Sequence, residues 1–395
     1  MTGDRRAARR RLIRVTLLFV LALVMTSLTA PPANAGTPDI PGTCDESGNY
    51  EVCFTYAGDG DPDYLITQRI KGKIDATASS PGADDYIRVA MYEWGTSGYG
   101  DDIADSLITA AKNGVSVRVV LGDATPQSVV DRFKGEGIDA VRCANACTGE
   151  SGAMHNKFFL IKHNTSKLVL QTSTNLTETQ AEHAQNLLVS RDDPKLFSHY
   201  VNYWRRLYDQ DWTWGGDYWS ETERARYGTN DLSRAYFYPM PTKSPLVGVL
   251  RKVTACSEGN DRVWLEASLF DSSTFSEELA VELKRLLGIG CNVKVILQKD
   301  SGYRQLTYLP TSGGYFFPNT RVKCDGQSHN KLLLIDAYYA GALRKAVFVG
   351  SYNITENSLR ASNDATLRVI NGWVTNRYID QFEKMWAHPR TCDAD

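Results

Sequence analysis

Two copies of the same strings, in the same order, constrain this 395-residue chain more than any other feature. Residues 113–121, NGVSVRVVL, align with 289–297, IGCNVKVIL, at an offset of 176. Residues 154–161, MHNKFFLI, align with 328–335, SHNKLLLI, at 174, and 173–177, STNLT, align with 351–355, SYNIT, at 178. The offset stays at 178 farther on, where Tyr200, Val201, Trp204 and Tyr208 meet Tyr378, Ile379, Phe382 and Trp386. Offsets that drift by a few residues in unbroken order mark an internal duplication with small loop changes, so the fold must be two versions of one unit.

Each copy alternates in pattern. Residues 86–94 and 262–270 are apolar runs of strand character, 102–112 and 277–287 carry apolar residues at helical spacing, and 115–121 and 293–297 return to strands. The stretches 158–161 and 332–335 run straight on from the His-Asn-Lys strings and have the composition of central strands, with each histidine at one end. Alternating strands and helices imply α/β layers. The first copy occupies 63–208 and the second 244–395. Between them, 209–243 forms a linker dense in aromatics: Trp212, Trp214, Tyr218, Trp219, Tyr236, Phe237 and Tyr238.

The chain opens with Arg5, Arg6, Arg9, Arg10, Arg11 and Arg14, then an apolar run over 15–28, then Ala33-Asn34-Ala35. That order is expected of a secretory signal peptide over 1–35, cleaved near Ala35 and followed by an N-terminal extension over 36–62. The apolar run is short for a membrane span. All eight cysteines (Cys44, Cys53, Cys143, Cys147, Cys256, Cys291, Cys324 and Cys392) lie beyond that point, and an even count in an exported chain reads as disulfides. Sequence proximity favours Cys44 with Cys53 and Cys143 with Cys147. A zinc site is the alternative, although the chain has no Cys-x-x-Cys pair. The expected signal carries six arginines and one acid, so its removal would leave 38 basic and 45 acidic residues. A protein that acidic exerts no general electrostatic pull on nucleic acid, though a local basic groove remains possible.

The duplicated strings also carry the chemistry. Each copy supplies a histidine, a lysine two residues on, and an asparagine about twenty residues later: His155, Lys157 and Asn175, then His329, Lys331 and Asn353. Residues i and i+2 of a strand share a face. Two such sets around one point would offer two imidazoles, two ammonium groups and two carboxamides, which suits a phosphodiester. The lysines and asparagines would stabilise charge developing on the phosphoryl oxygens, so no metal or other cofactor is expected. One histidine would attack phosphorus while the other protonates the leaving oxygen, splitting one displacement into two. The remaining histidines, His163, His183, His199 and His388, have no matched partners and read as ordinary surface or structural residues. Asn175-Leu176-Thr177 and Asn353-Ile354-Thr355 also fit a glycosylation sequon, but a matched pair is better read as one active-site turn written twice.

At these residues the chain resembles the phospholipase D superfamily, whose signature is His-x-Lys-x4-Asp followed by Gly/Ser-Ser-x-Asn. The second copy fits throughout, with His329, Lys331 and Asp336, then Gly350-Ser351-Tyr352-Asn353. The first copy has His155 and Lys157, then Thr172-Ser173-Thr174-Asn175, with Lys162 in place of the aspartate. The resemblance implies two similar α/β/α sandwich halves with one shared active site at their interface. It gives Asp336 a supporting role in its strand. It also implies a carboxylate behind a histidine, eleven residues after the asparagine: Asp364 in the second copy, where the first has Asn186. That places Asp364 behind His329, as the better supported bearer of positive charge. Family precedent leans toward His155 as nucleophile, with His329 as proton donor.

Three functions are compatible with this reading. A secreted phospholipase D acting on phospholipid at a membrane or micelle surface is favoured by export, by acidic charge and by aromatics that could sit at a lipid interface. The same aromatics could equally pack the linker against the core. A secreted nuclease of the superfamily is the alternative, and a non-catalytic binding protein that kept the fold is a third. Both copies reside in one chain, so no obligatory protein partner is expected.

Overall fold

The computed structural model describes residues 42–57, 62–211, 224–225, 232–309, 314–387 and 392. The expected export signal, the linker aromatics Trp212, Trp214, Tyr218 and Trp219, and His388 lie outside the described residues.

The first half runs β1 (Thr43–Ser47), β2 (Tyr50–Thr55), α1 (Leu65–Ser79), β3 (Tyr86–Met91), α2 (Tyr99–Lys112), β4 (Ser116–Leu121), α3 (Gln127–Gly135), β5 (Asp139–Arg142), β6 (Lys157–His163), β7 (Ser166–Thr172), β8 (Gln185–Arg191) and α4 (Pro194–Asp209). The second half begins with β9 (Arg224–Ala225), β10 (Leu232–Phe237), α5 (Pro245–Arg251), β11 (Val253–Ala255), β12 (Arg262–Ala267), α6 (Thr274–Gly288) and β13 (Asn292–Leu297). It continues through α7 (Asp300–Thr307), β14 (Tyr308–Leu309), β15 (Gly314–Tyr315), β16 (Val322–Cys324), β17 (Lys331–Tyr339), β18 (Ala342–Gly350), α8 (Glu356–Arg360), β19 (Ala365–Ile370) and α9 (Gly372–Ala387).

The duplication is visible in the strand order. The first sheet is β1-β2-β8-β7-β6-β3-β4-β5, and the second is β16-β13-β12-β17-β18-β19-β10-β9, with β11 added on β17. Read in the same direction, β2-β8-β7-β6-β3-β4-β5 and β10-β19-β18-β17-β12-β13-β16 are one seven-strand arrangement. In each half the β3- and β12-type strands pair in parallel on one side and antiparallel with the His-x-Lys strand on the other. Two strands enlarge the expected units. β2 falls in the stretch read as an N-terminal extension, and β10 in the stretch read as a linker, yet each closes one side of its seven-strand run. Neither belongs to the matched strings, so the repeat carried no signal for them.

Period-2 burial explains why the central strands are apolar throughout. In β6, Phe158 and Leu160 enter a core that runs on into the second half, while Phe159 and Ile161 enter a separate core beneath α1, α2 and α3. A strand covered on both faces reads as a continuous apolar run. The core joining the halves includes Tyr200, Tyr203 and Trp204 of α4 together with Tyr236, Phe237 and Tyr238. Those last three aromatics are at most 4% exposed, so they pack the core rather than face a lipid surface. The helix ends follow local rules. Asp193 caps α4 by accepting from the Leu196 amide at 3.1 Å ahead of Pro194, and Ser273 caps α6 through the Ser276 amide at 3.3 Å.

All eight cysteines are paired: Cys44–Cys53, Cys143–Cys147, Cys256–Cys291 and Cys324–Cys392. The zinc alternative is thereby overturned, because no free thiol remains to bind a metal. No helix among the described residues is long and apolar enough to cross a membrane.

Candidate active site

Each histidine sits two residues before its strand, where the chain leaves its own sheet and pairs with the other half. The His155 amide donates to the Asn363 carbonyl at 2.8 Å, and the His329 amide donates to the Ala184 carbonyl at 2.9 Å. Short parallel bridges, Met154 with Asn363 and Ala184 with Ser328, continue these contacts. The start of β19 therefore lies beside His155, and the start of β8 beside His329.

This exchange decides which group stands behind which imidazole. Asp364 Oδ1 meets His155 Nδ1 at 2.8 Å, and the Ser351 hydroxyl donates to the same oxygen at 2.6 Å. His329 Nδ1 instead meets the Gln185 side-chain oxygen at 3.2 Å, which the Ser173 hydroxyl holds at 2.7 Å. Two expectations are corrected. Asp364 supports the histidine of the opposite half, His155, and not His329. Its counterpart is Gln185, not Asn186, because the two halves differ by one residue between the asparagine turn and the following strand. A uniform offset of 178 misses that slip, whereas the paired contacts of Ala184 and Asn363 require 179. Asn186 has another role: its amide donates to Asn330 Oδ1 at 2.6 Å, and its oxygen accepts from the Tyr378 hydroxyl at 3.2 Å.

The lysines and asparagines are buried beside the half-buried histidines. Lys157 Nζ donates to the His155 carbonyl at 2.9 Å and Lys331 Nζ to the His329 carbonyl at 2.8 Å, so each ammonium is held against its own loop. Asn175 and Asn353 are only 5% and 7% exposed, which removes them as accessible sequons. Their amide oxygens, and Oδ2 of Asp364, are buried without hydrogen-bond partners among the described residues. Unsatisfied polar atoms are rare in folded cores, and these three are acceptors that a water or a hydroxyl donor would satisfy. Gly350, at the head of the second asparagine turn, has a structural reason to be glycine: a Cβ there would lie 1.9 Å from the Ala365 carbonyl oxygen.

The electrostatics are those of an anion site. Burial, and then the Lys157 charge, push His155 below the ordinary histidine value, with Asp364 opposing. His329 falls well below it through burial and the positive charges of Lys331 and Lys157, with no carboxylate to oppose them. Lys157 drops to about 7 and Lys331 falls well below its usual range, both mainly by burial. Burial is the largest single influence on Asp364 and raises it, but His155, the Ser351 hydroxyl and the Lys157 charge together outweigh it and the net shift is downward. Lys157 perturbs both His329 and Lys331, so groups from the two halves form one electrostatic cluster.

Asp336 does not join this cluster. It lies within β17, five residues on from Lys331 and partly exposed, against Arg262 at 3.2 Å and Lys345 at 3.3 Å on neighbouring strands. Lys162, which replaces it in the first half, donates to the Asp84 carbonyl at 2.8 Å.

Several residues near the site escaped the sequence reading. Tyr92 packs edge-on to His155, with ring centroids 4.9 Å apart, and Lys157 Nζ lies 5.2 Å from its ring. The amide of Asn175 donates to Glu93 at 3.4 Å. The ring of His183, expected to be ordinary, stands edge-on to His329 at 5.9 Å. The middle residues of both His-Asn-Lys strings staple the site: Asn156 donates to the Asn363 carbonyl at 3.0 Å and to the Tyr203 hydroxyl at 3.0 Å. Asn330 donates to Glu266 at 3.1 Å, and Ser328 donates to the same carboxylate. Burial raises Glu266 to about 7, against the lowering effect of those two bonds. The repeat itself held a clue to Glu266, since Ala90 occupies the matching strand position. A buried acid on one side only marks a local asymmetry.

Comparison with known proteins bears on the fold and the family. Residues 81–208 and 254–386 match the family described as "Cardiolipin synthase, PLD-like domain". No curated protein matches in sequence. Among solved structures, phosphatidylserine synthase of Haemophilus influenzae is 12% identical, with a TM-score of 0.58 and 89% of each chain covered. Polyphosphate kinase of Porphyromonas gingivalis is 17% identical with a TM-score of 0.57. The match covers 82% of this chain but only 46% of the kinase, so this chain corresponds to less than half of that protein. At such identities the likeness concerns the fold. The duplicated α/β halves and the family match over both of them show that this chain belongs to the phospholipase D superfamily, whose members are phosphodiesterases or phosphotransferases.

Proposed function

We propose that the protein is a secreted phospholipase D that releases head groups from phospholipids, and transfers the phosphatidyl group to water or an alcohol, through a phosphohistidine on His155. The observation that carries this reading is the Asp364–His155 contact at 2.8 Å inside a cluster of two histidines and two lysines. A proton held on Nδ1 by the carboxylate leaves Nε2 with its lone pair for phosphorus. The imidazolium formed on attack is then stabilised by the same carboxylate. His155 Nε2 forms the P–N bond as the P–O bond to the head group breaks, and His329 gives its proton to the departing oxygen. Water or a primary alcohol then gives a proton to His329 and forms the new P–O bond, and the P–N bond breaks to regenerate His155. Lys157, Lys331, Asn175 and Asn353 donate to the phosphoryl oxygens in both steps. The depressed basicity of His329 fits this cycle, because an incoming phosphate anion offsets the lysine charges and lets His329 hold the proton it must deliver.

Export is supported by the basic and apolar opening of the sequence, and four disulfides are compatible with an oxidising compartment. The test uses purified mature protein on phosphatidylcholine vesicles with and without a primary alcohol, beside plasmid DNA at equal enzyme concentration. Head-group release, a phosphatidyl-alcohol product and intact plasmid are expected. Plasmid nicking that disappears in His329→Ala, with vesicles untouched, would move the substrate to nucleic acid. No turnover of either substrate would argue for a binding protein.

A further inference from the structure

A protein with more acids than bases nevertheless concentrates cations at one place in its second half. A cavity of about 410 Å³ beside β10 and α5 is lined by Arg234, Lys243, Arg251, Lys252 and Arg360, against the single carboxylate of Glu278. Its floor is apolar, with buried Tyr236, Met240 and Val249. None of these residues belongs to the histidine centre.

Two of the cations have their own anions. Arg251 Nε donates to Glu282 at 3.0 Å, and Arg360 donates to Glu356 at 3.1 Å and to the Met240 and Lys243 carbonyls at 2.7 and 2.9 Å. Arg234 differs. Its guanidinium lies 5.0 Å from the Tyr236 ring centroid, and its Nε is buried with no hydrogen-bond partner among the described residues. Directly across the antiparallel register stands Arg368, 2% exposed, which donates to the Tyr339 hydroxyl at 3.4 Å. Like charges opposed across two strands are unfavourable, and an unsatisfied buried donor costs free energy as well. An anion taking the Arg234 donors would relieve both.

We propose that this cavity is a second anion site that binds a phosphate-bearing group. A tetrahedral anion accepts from a guanidinium fork and a neighbouring ammonium at once, and the apolar floor suits the organic part of an ester. The proposal does not depend on what the histidine centre cleaves. The phosphate could belong to a lipid head group or be free in solution.

The test compares the mature protein with the double variant Arg234→Gln/Lys252→Gln, with Arg234→Lys as a charge-preserving control. Calorimetric titration with inorganic phosphate should find two sites per chain in the parent, and in the control two sites with the second weakened less than in the double variant. The double variant should keep one site and lose about 10–100-fold in affinity at the other, as expected for a few charge-assisted hydrogen bonds. Flotation with phosphatidylcholine vesicles, with and without phosphatidate, is run in parallel. Weakened binding to phosphatidate vesicles alone would identify a lipid head group, and weakened phosphate binding alone would identify free phosphate. Unchanged binding in both arms would overturn the site. Turnover of a soluble diester should be equal in all three proteins, which verifies folding and separates failure here from failure at the histidines.

Discussion

In the first half, His155 leans on the carboxylate of Asp364 at 2.8 Å, whereas in the second half His329 leans on the neutral amide of Gln185 at 3.2 Å. The backbone around both imidazoles is otherwise repeated, down to the amide that each donates to the opposite half. Beneath the strands the imbalance is reversed: Glu266 sits under the second His-Asn-Lys string, and Ala90 holds the matching place under the first. The two similar frames thus differ in the group set behind each histidine, and in the proposed mechanism the carboxylate-backed one carries positive charge while the other exchanges protons.

The largest test of that division uses a diester with a nitrophenyl leaving group, which departs without protonation. His329→Ala should release about one equivalent of nitrophenol in a burst and then stall, because no base remains to activate water for the second step. His155→Ala should show no burst and should lose at least about 10³-fold in turnover. Rapid quench with phosphorus-labelled substrate reads the outcome directly, and label retained on His329 in the His155→Ala protein would reverse the roles.

Exchanging the supporting groups should matter next. Asp364→Asn keeps the shape but removes the charge that orients His155 and stabilises its imidazolium, so turnover should fall by about 10²–10⁴-fold. Gln185→Ala should cost less than about tenfold. Gln185→Glu places a carboxylate behind His329 and, by raising the pKa of that proton donor, should move the alkaline limb of the pH dependence of kcat/KM toward higher pH. Equal losses in Asp364→Asn and Gln185→Ala would erase the proposed difference between the halves.

A smaller effect concerns stability against pH. Glu266 lies at about 7 in the folded chain against 4.5 unfolded, so its contribution is complete below 4.5 and is lost as pH rises through 7. The histidines act with the opposite sign. Folded values below 6.5 mean that their neutral burial stabilises above that value, and this stability is lost as pH falls through the histidine range. Melting temperatures of the parent and of Glu266→Gln, measured from pH 4 to 8, should therefore converge or cross as pH rises, to the variant's advantage. Parallel curves would mean that Glu266 is charged throughout.

The smallest change is expected at Asp336. Its ion pairs are partly exposed, and such pairs are worth about 0–1 kcal/mol, so Asp336→Asn should shift stability within that range and leave turnover unchanged. Lys162→Asp, which makes the first half resemble the second, should be equally mild. A loss of turnover beyond about tenfold in either would tie these strand positions to the site.

Much of the fold is legible in the sequence. The strands now seen at Tyr86–Met91, Ser116–Leu121, Arg262–Ala267 and Asn292–Leu297, and the helices at Tyr99–Lys112 and Thr274–Gly288, follow the expected elements within a few residues, because apolar periodicity records which face is buried. The disulfides Cys44–Cys53 and Cys143–Cys147 were readable from their short loops, whereas Cys256–Cys291 and Cys324–Cys392 close 35 and 68 residues and needed the packed halves. His183 had no matched partner in the repeat, so nothing in its spacing showed that its ring would face His329.

By itself, then, the sequence determined the two-copy architecture and the identity of the paired His, Lys and Asn side chains, since local composition and repetition are properties of the chain taken in order. Only the tertiary structure decided that Asp364 serves His155, that Gln185 rather than Asn186 is its counterpart, and that Glu266 lies under Ser328 and Asn330. Those contacts join residues 62 to 209 positions apart. They depend on each histidine loop pairing with the segment just before β19 or β8 of the other half, and a one-residue loop difference is enough to change which side chain arrives there.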